Sequence, residues 1–136
     1  MSASSLKTQV VARARALSVV IWLLRVVLAA LFLGAGFSKL AGEPVMVDMF
    51  AVIGVGQWLR YFVGACELAG AVGVLVPSVS VLAAGGLALL MVGASIANVT
   101  VLDASPVVTI VILVVATVTS WLGLRCSDRP AGERGR

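Results

Sequence analysis

The chain has 136 residues, 61% of them hydrophobic and 12% charged, and a net charge of +4. Soluble domains average about 45–50% apolar and about 25% charged residues, so this composition excludes a water-soluble globule and makes lipid the main solvent. The chain has no histidine, which excludes His-ligated haem, His-based zinc and Ser-His-Asp chemistry within this polypeptide, and no metal site is expected.

Residues 1–16 form a polar, basic segment with Lys7, Arg13 and Arg15. The first apolar run, Leu17–Leu40, reaches about 36 Å as a helix, enough to span a bilayer with some tilt. Basic residues before an apolar run also describe a signal peptide. This run is too long for one, Arg25 interrupts it, and no small-residue cleavage pattern follows.

Residues 41–57 form the longest loop. Gly42-Glu43-Pro44 ends the first helix, because proline cannot continue it. Val45, Met49 and Ile53 then recur at helical spacing, joined by Met46 and Phe50, which predicts a short amphipathic segment lying at the interface or folding back over the bundle. The second span is expected at about 58–76, ended by Pro77-Ser78, and the third at about 80–100, the two forming an antiparallel hairpin. The fourth is expected at about 106–124, with Ser105 as N-cap and Pro106 in the first helical position. Residues 125–136 read as a polar, disordered tail.

The expected fold is therefore an all-α, four-helix transmembrane bundle with an interfacial segment in the 1–2 loop. Lys7, Arg13, Arg15, Arg125, Arg129, Arg134 and Arg136 flank the spans on one side, against Lys39 and Arg60 on the other. The positive-inside rule places both termini in the cytoplasm. Trp58 and Tyr61 then mark the outer interface and Trp121 the inner one. The basic residues sit in these flanks and form no stripe on a folded surface, so a nucleic-acid partner is not expected.

Charges inside spans are the strongest functional clue, since one at the bilayer centre costs roughly 2.5–3.5 kcal/mol on insertion scales. Projected at 100° per residue, Arg25, Ala29, Phe32, Gly36 and Lys39 share one face of the first span. Arg60, Gly64, Glu67, Ala71 and Val74 share one face of the second. Both faces mix charge with small residues, and Gly36, Gly64, Gly70 and Ala71 are candidates for close helix packing. Arg25 is expected to pair with Glu67, with Lys39 and Arg60 as alternative partners for that carboxylate. Such a cluster either fixes helix register or holds a ligand headgroup or relays a proton. Asn98, near the end of the third span, is a further polar candidate. Cys66 and Cys126 form no CxxC motif and no disulfide is expected between them.

"LRVVLAALFLGAGFSKL" (Leu24–Leu40) resembles the opening helix of the DoxX-like family: an early arginine, then small residues, then a lysine at the helix end. "GVGQWLRYFVGACELAGAVGVLVP" (Gly54–Pro77) resembles its second segment, with a Gly-x-x-Glu-Leu-x-Gly core at Gly64, Glu67, Leu68 and Gly70. "LAAGGLALLMVGASIANV" (Leu82–Val99) resembles the third helix. The resemblance implies a four-helix protein of the bacterial inner membrane, associated with redox systems such as quinone-linked thiosulfate oxidation, maturation of a disulfide-bearing amine dehydrogenase, or oxidative-stress complexes. Some members carry a histidine near the end of the third helix, where this chain has Asn98. The paired cysteines of a thiol-exchange member are also missing.

Three functions follow as expectations. The first is an accessory subunit of a membrane redox system, with Arg25, Lys39 and Glu67 binding a quinone-type headgroup or docking redox partner proteins. The second is a non-catalytic binder or transporter of a small hydrophobic molecule. The third is a structural assembly subunit, whose small-residue faces meet another chain or a second copy in a homo-oligomer.

Overall fold

The computed structural model describes residues 2–127. These form five helices: α1 (Ala3–Ala41), α2 (Pro44–Ile53), α3 (Gln57–Leu75), α4 (Ser80–Thr100) and α5 (Val107–Ser127). Four of them are long and apolar enough to cross a membrane, and α2 is the short apolar helix between the first two. No strand forms among the described residues.

Backbone chemistry sets the breaks. At the end of α1, Gly42 takes a left-handed conformation (φ 74°), and the N–H groups of Gly42 and Glu43 both donate to Ser38 O. Glycine adopts that conformation without a Cβ penalty. Pro44 then opens α2, where its missing N–H costs nothing. Gly54 (φ 78°) closes α2, and Gly56 (φ 101°) precedes α3. Ser105 Oγ accepts from the Val107 N–H at 3.4 Å, with Pro106 between them, which is the expected cap of α5.

The four long helices form a ring in which α1 packs on α3, α3 on α4, α4 on α5 and α5 back on α1. Leu28, Ala29, Phe32, Ala71, Val74, Ala84, Leu87, Met91 and Ala116 make the core. Small residues bring the helices together. A Cβ on Gly36 would lie 2.9 Å from Gly64 O, and one on Gly64 would lie 3.1 Å from Gly36 O. A Cβ on Gly70 would meet Leu87 Cδ2 at 2.5 Å, and one on Gly73 would meet Ala83 Cβ at 2.8 Å. Between apolar helices in lipid, such close approach supplies the van der Waals contact that holds a bundle together. The outer surface is apolar: Leu82 is 79% exposed and Phe37 69%. That surface suits hydrocarbon.

Two segments run further than the sequence pattern suggests. At 39 residues, about 58 Å, α1 is roughly twice as long as α3, and its helix includes Lys7, Arg13 and Arg15. Residues 4–20 of α1 are exposed apart from the half-buried Ala14, and burial begins at Ile21. Helix α5 continues to Ser127, into the stretch expected to be a tail. Residues 128–136, the rest of that expected tail, lie outside the described residues.

Candidate functional site

The Gly36/Gly64 contact sets the register of α1 against α3. Lys39 lies three residues beyond it on α1, and Glu67 three residues beyond it on the antiparallel α3. Their Cα positions are therefore offset by about 9 Å along the bundle. Side chains on a helix lean toward its N-terminus, so on antiparallel helices these two lean toward each other. Lys39 Nζ sits 3.0 Å from Glu67 Oε1 and 2.9 Å from Oε2. It also reaches back to Ala35 O at 3.5 Å, one turn down its own helix. The Glu67 side chain is 3% exposed and that of Lys39 14%. This is an ion pair inside the protein.

One turn nearer the α1–α3 loop lies a second cation. Arg60 is only 4% exposed. Its Nη1 donates to Lys39 O, one of the last carbonyls of α1, and its Nε donates to Gln57 Oε1 at 2.8 Å. Both loop N–H groups bond to Ser38 O, so the guanidinium serves the neighbouring carbonyl and places positive charge at the negative end of α1. Tyr61 lies under the guanidinium at 4.2 Å. Gln57 Nε2 donates to Val47 O at 3.0 Å, which ties α2 to the start of α3. Lys39, Glu67, Arg60 and Gln57 thus form one polar chain from the middle of α3 to the underside of α2. It holds two cations for one carboxylate.

The expected pairing of Arg25 with Glu67 does not form. Eleven residues separate Arg25 from Gly36 on α1, and eleven separate Leu75 from Gly64 on α3. Arg25 therefore lies level with the end of α3, about 12 Å along the bundle from Glu67. Reading Leu17 as the start of the span puts Arg25 too deep, because α1 overshoots the bundle at its N-terminal end. Glu67 takes the alternative partner, Lys39. Asn98 is half-buried in the last turn of α4, and its backbone carbonyl accepts from the Ala104 N–H at 2.9 Å. Its side chain bonds to no member of the polar chain. Among the packing candidates, Gly36 meets Gly64, Gly70 meets Leu87, and Ala71 is fully buried in the core. Cys66 is a half-buried free thiol in α3.

A model of the DoxX-like family matches residues 23–120, most of the chain. The chain belongs to the DoxX-like family. No curated protein and no solved structure matches it. The region shared with the DoxX-like family includes Arg25, Lys39, Arg60, Glu67 and Asn98, and leaves out the projecting start of α1. Within it, the buried residues of α3 are Arg60, Gly64, Glu67, Ala71 and Val74, the same five that the 100° projection groups on one face. Gln57 is the member of the polar chain that sequence reasoning missed. Its signal was its place three residues before Arg60, since residues at that spacing meet on a helix surface.

Proposed function

We propose that this DoxX-like protein is an accessory subunit of a membrane redox system, and that its Lys39–Glu67–Arg60 cluster receives the polar headgroup of a quinone-type molecule. One observation carries the reading: two cations and a carboxylate are buried together in an apolar bundle, beside the linked short helix α2. An ionisable group at membrane depth is a functional candidate by default. Lys39 and Arg60 supply donors for quinone carbonyls. Glu67 accepts a hydrogen bond from a quinol hydroxyl and, once protonated from the aqueous side, gives one of the two protons that a bound quinone takes up with two electrons. The electrons come from a redox partner protein in the same bacterial inner membrane. The same cluster suits a carrier of another small hydrophobic molecule with a polar head, and the experiment below separates the two.

A structural reading has its own support in the Gly36/Gly64 contact, which the Lys39–Glu67 pair reinforces by tying the same two helices. The deciding experiment purifies the protein in mild detergent and identifies bound small molecules by mass spectrometry. A short-chain quinone is then titrated against the fluorescence of Trp58. Co-purified quinone, with binding weakened about tenfold in Lys39→Met and in Glu67→Gln, supports the proposal; about tenfold is the loss of one charge-assisted contact. A different dominant lipid moves the reading to a carrier. Neither ligand, in a protein that is stably folded, leaves the pair with a structural role.

A further inference from the structure

We propose that Arg25 forms a site for the phosphate group of an anionic phospholipid, at the end of the bundle where α3 ends and α4 begins. This is a different place from the Lys39–Glu67 cluster, and it does not depend on the quinone reading.

Arg25 is level with Leu75, the last residue of α3. A Cβ added to Gly123, near the end of α5, would lie 2.9 Å from Val81 in the first turn of α4 and 3.9 Å from Arg25 Nη2. Arg25, Leu75, Val81 and Gly123 therefore share one level, where three of the four long helices begin or end. In a bilayer this level is the boundary between hydrocarbon and headgroups. Lipid phosphates lie there, and arginine side chains extend toward it.

The guanidinium has positive charge to offer. Arg25 Nε is buried and has no hydrogen-bond partner. The ion pair among the described residues is Lys39–Glu67, so no described carboxylate neutralises Arg25. Its neighbour is the ring of Trp22, 5.7 Å from the guanidinium carbon and 46% exposed. An indole half-turned to the outside is the side chain expected at a membrane interface. Leu23 and Val26, on either side of Arg25, are exposed apolar residues. Arg25 itself is half-buried, with Nη2 toward Gly123 of α5, and this lipid-facing surface borders it, so a lipid is the partner closest at hand. A guanidinium grips a phosphate through two parallel hydrogen bonds, which a lysine cannot copy. Lys7, Arg13 and Arg15 continue along the same helix on the terminal side and favour an anionic leaflet.

The test uses the full chain with Trp58→Phe and Trp121→Phe, so that Trp22 alone reports. It is reconstituted into phosphatidylcholine vesicles containing a minor fraction of either brominated phosphatidylglycerol or brominated phosphatidylcholine. Brominated phosphatidylglycerol is expected to quench Trp22 with about five-fold preference, the equivalent of ~1 kcal/mol for one basic residue at an anionic surface. Arg25→Gln removes the preference and Arg25→Lys keeps part of it. Substituting Lys7, Arg13 and Arg15 by glutamine leaves it in place. Excess inorganic phosphate competes weakly, since it lacks the acyl chains that hold the headgroup at this depth. Equal quenching by the two lipids overturns the proposal, and this comparison needs no change at Arg25. So does a preference that survives Arg25→Gln, or one that vanishes with the three distal basic residues. Full displacement by inorganic phosphate would overturn the lipid as the ligand.

Discussion

Lys39 and Glu67 satisfy each other because register and side-chain direction agree, and theirs is the ion pair found among the described residues. Removing one partner leaves the other charge buried, which costs about 3–5 kcal/mol, whereas replacing both with apolar residues removes the desolvation penalty as well. Lys39→Met and Glu67→Leu, each alone, are therefore expected to lower stability by about that amount, while the two combined recover most of it. Thermal unfolding of the four proteins in one detergent checks this. A double variant as unstable as the sum of the single ones would show that the two residues act separately. The two candidate partners of Glu67 differ in how they could be read from sequence. Residue spacing places Lys39, Gly36, Gly64 and Glu67 on facing surfaces, but only the Gly36/Gly64 contact says which lysine or arginine is level with the carboxylate. That contact is a tertiary fact, so the Arg25 alternative looks equally good on a helical projection.

Helix α1 meets α3 through backbone as much as through side chains. A Cβ at Gly36 lands 2.9 Å from a carbonyl oxygen that cannot swing aside, whereas one at Gly85 meets nothing within 4 Å. Gly36→Val is expected to destabilise by about 1–3 kcal/mol or more through overpacking. Gly85→Ala is expected to be neutral or to stabilise by roughly 0.5–1 kcal/mol, the helix cost of glycine. Thermal unfolding in detergent separates the two. A similar loss in both would mean that glycine count, rather than this contact, holds the helices. Helix α2 is held more lightly, between glycines at Gly42 and Gly54 and by the Gln57–Val47 hydrogen bond. Gln57→Ala removes that bond and the one to Arg60. Amide exchange in α2 should rise roughly five-fold, the equivalent of about 1 kcal/mol, with α4 unchanged. Unchanged exchange in α2 would show that packing alone holds it. The breaks around α2 were legible because proline and glycine act locally. The length of α1 was not, since no breaker separates the basic segment from the apolar run and hydropathy alone set its expected start.

At the scale of the whole molecule, four crossings bring Ala3 and Ser127 to the same end of the ring, and the α1–α3 and α4–α5 connections to the other. The ring geometry is indifferent to which end faces the cytoplasm. Charge is not. In the sequence, Lys7, Arg13, Arg15, Arg125, Arg129, Arg134 and Arg136 come before or after the apolar spans, while Lys39 and Arg60 at the loop end are held inside the protein by a carboxylate and a helix carbonyl. Two of the positive charges at the loop end thus have partners within the protein, and by the positive-inside rule it is positive charge near the span ends that resists translocation. Reporter fusions at the two termini are both expected to be active as cytoplasmic reporters, and a cysteine placed at Asp103 should be labelled from outside. Substituting Lys7, Arg13 and Arg15 by glutamine weakens the N-terminal half of the imbalance and should yield a mixed population. A uniform population with both termini outside in the unmodified chain would overturn this orientation. It would also put the Arg25 level in the opposite leaflet, while leaving its distance from the Lys39–Glu67 pair untouched.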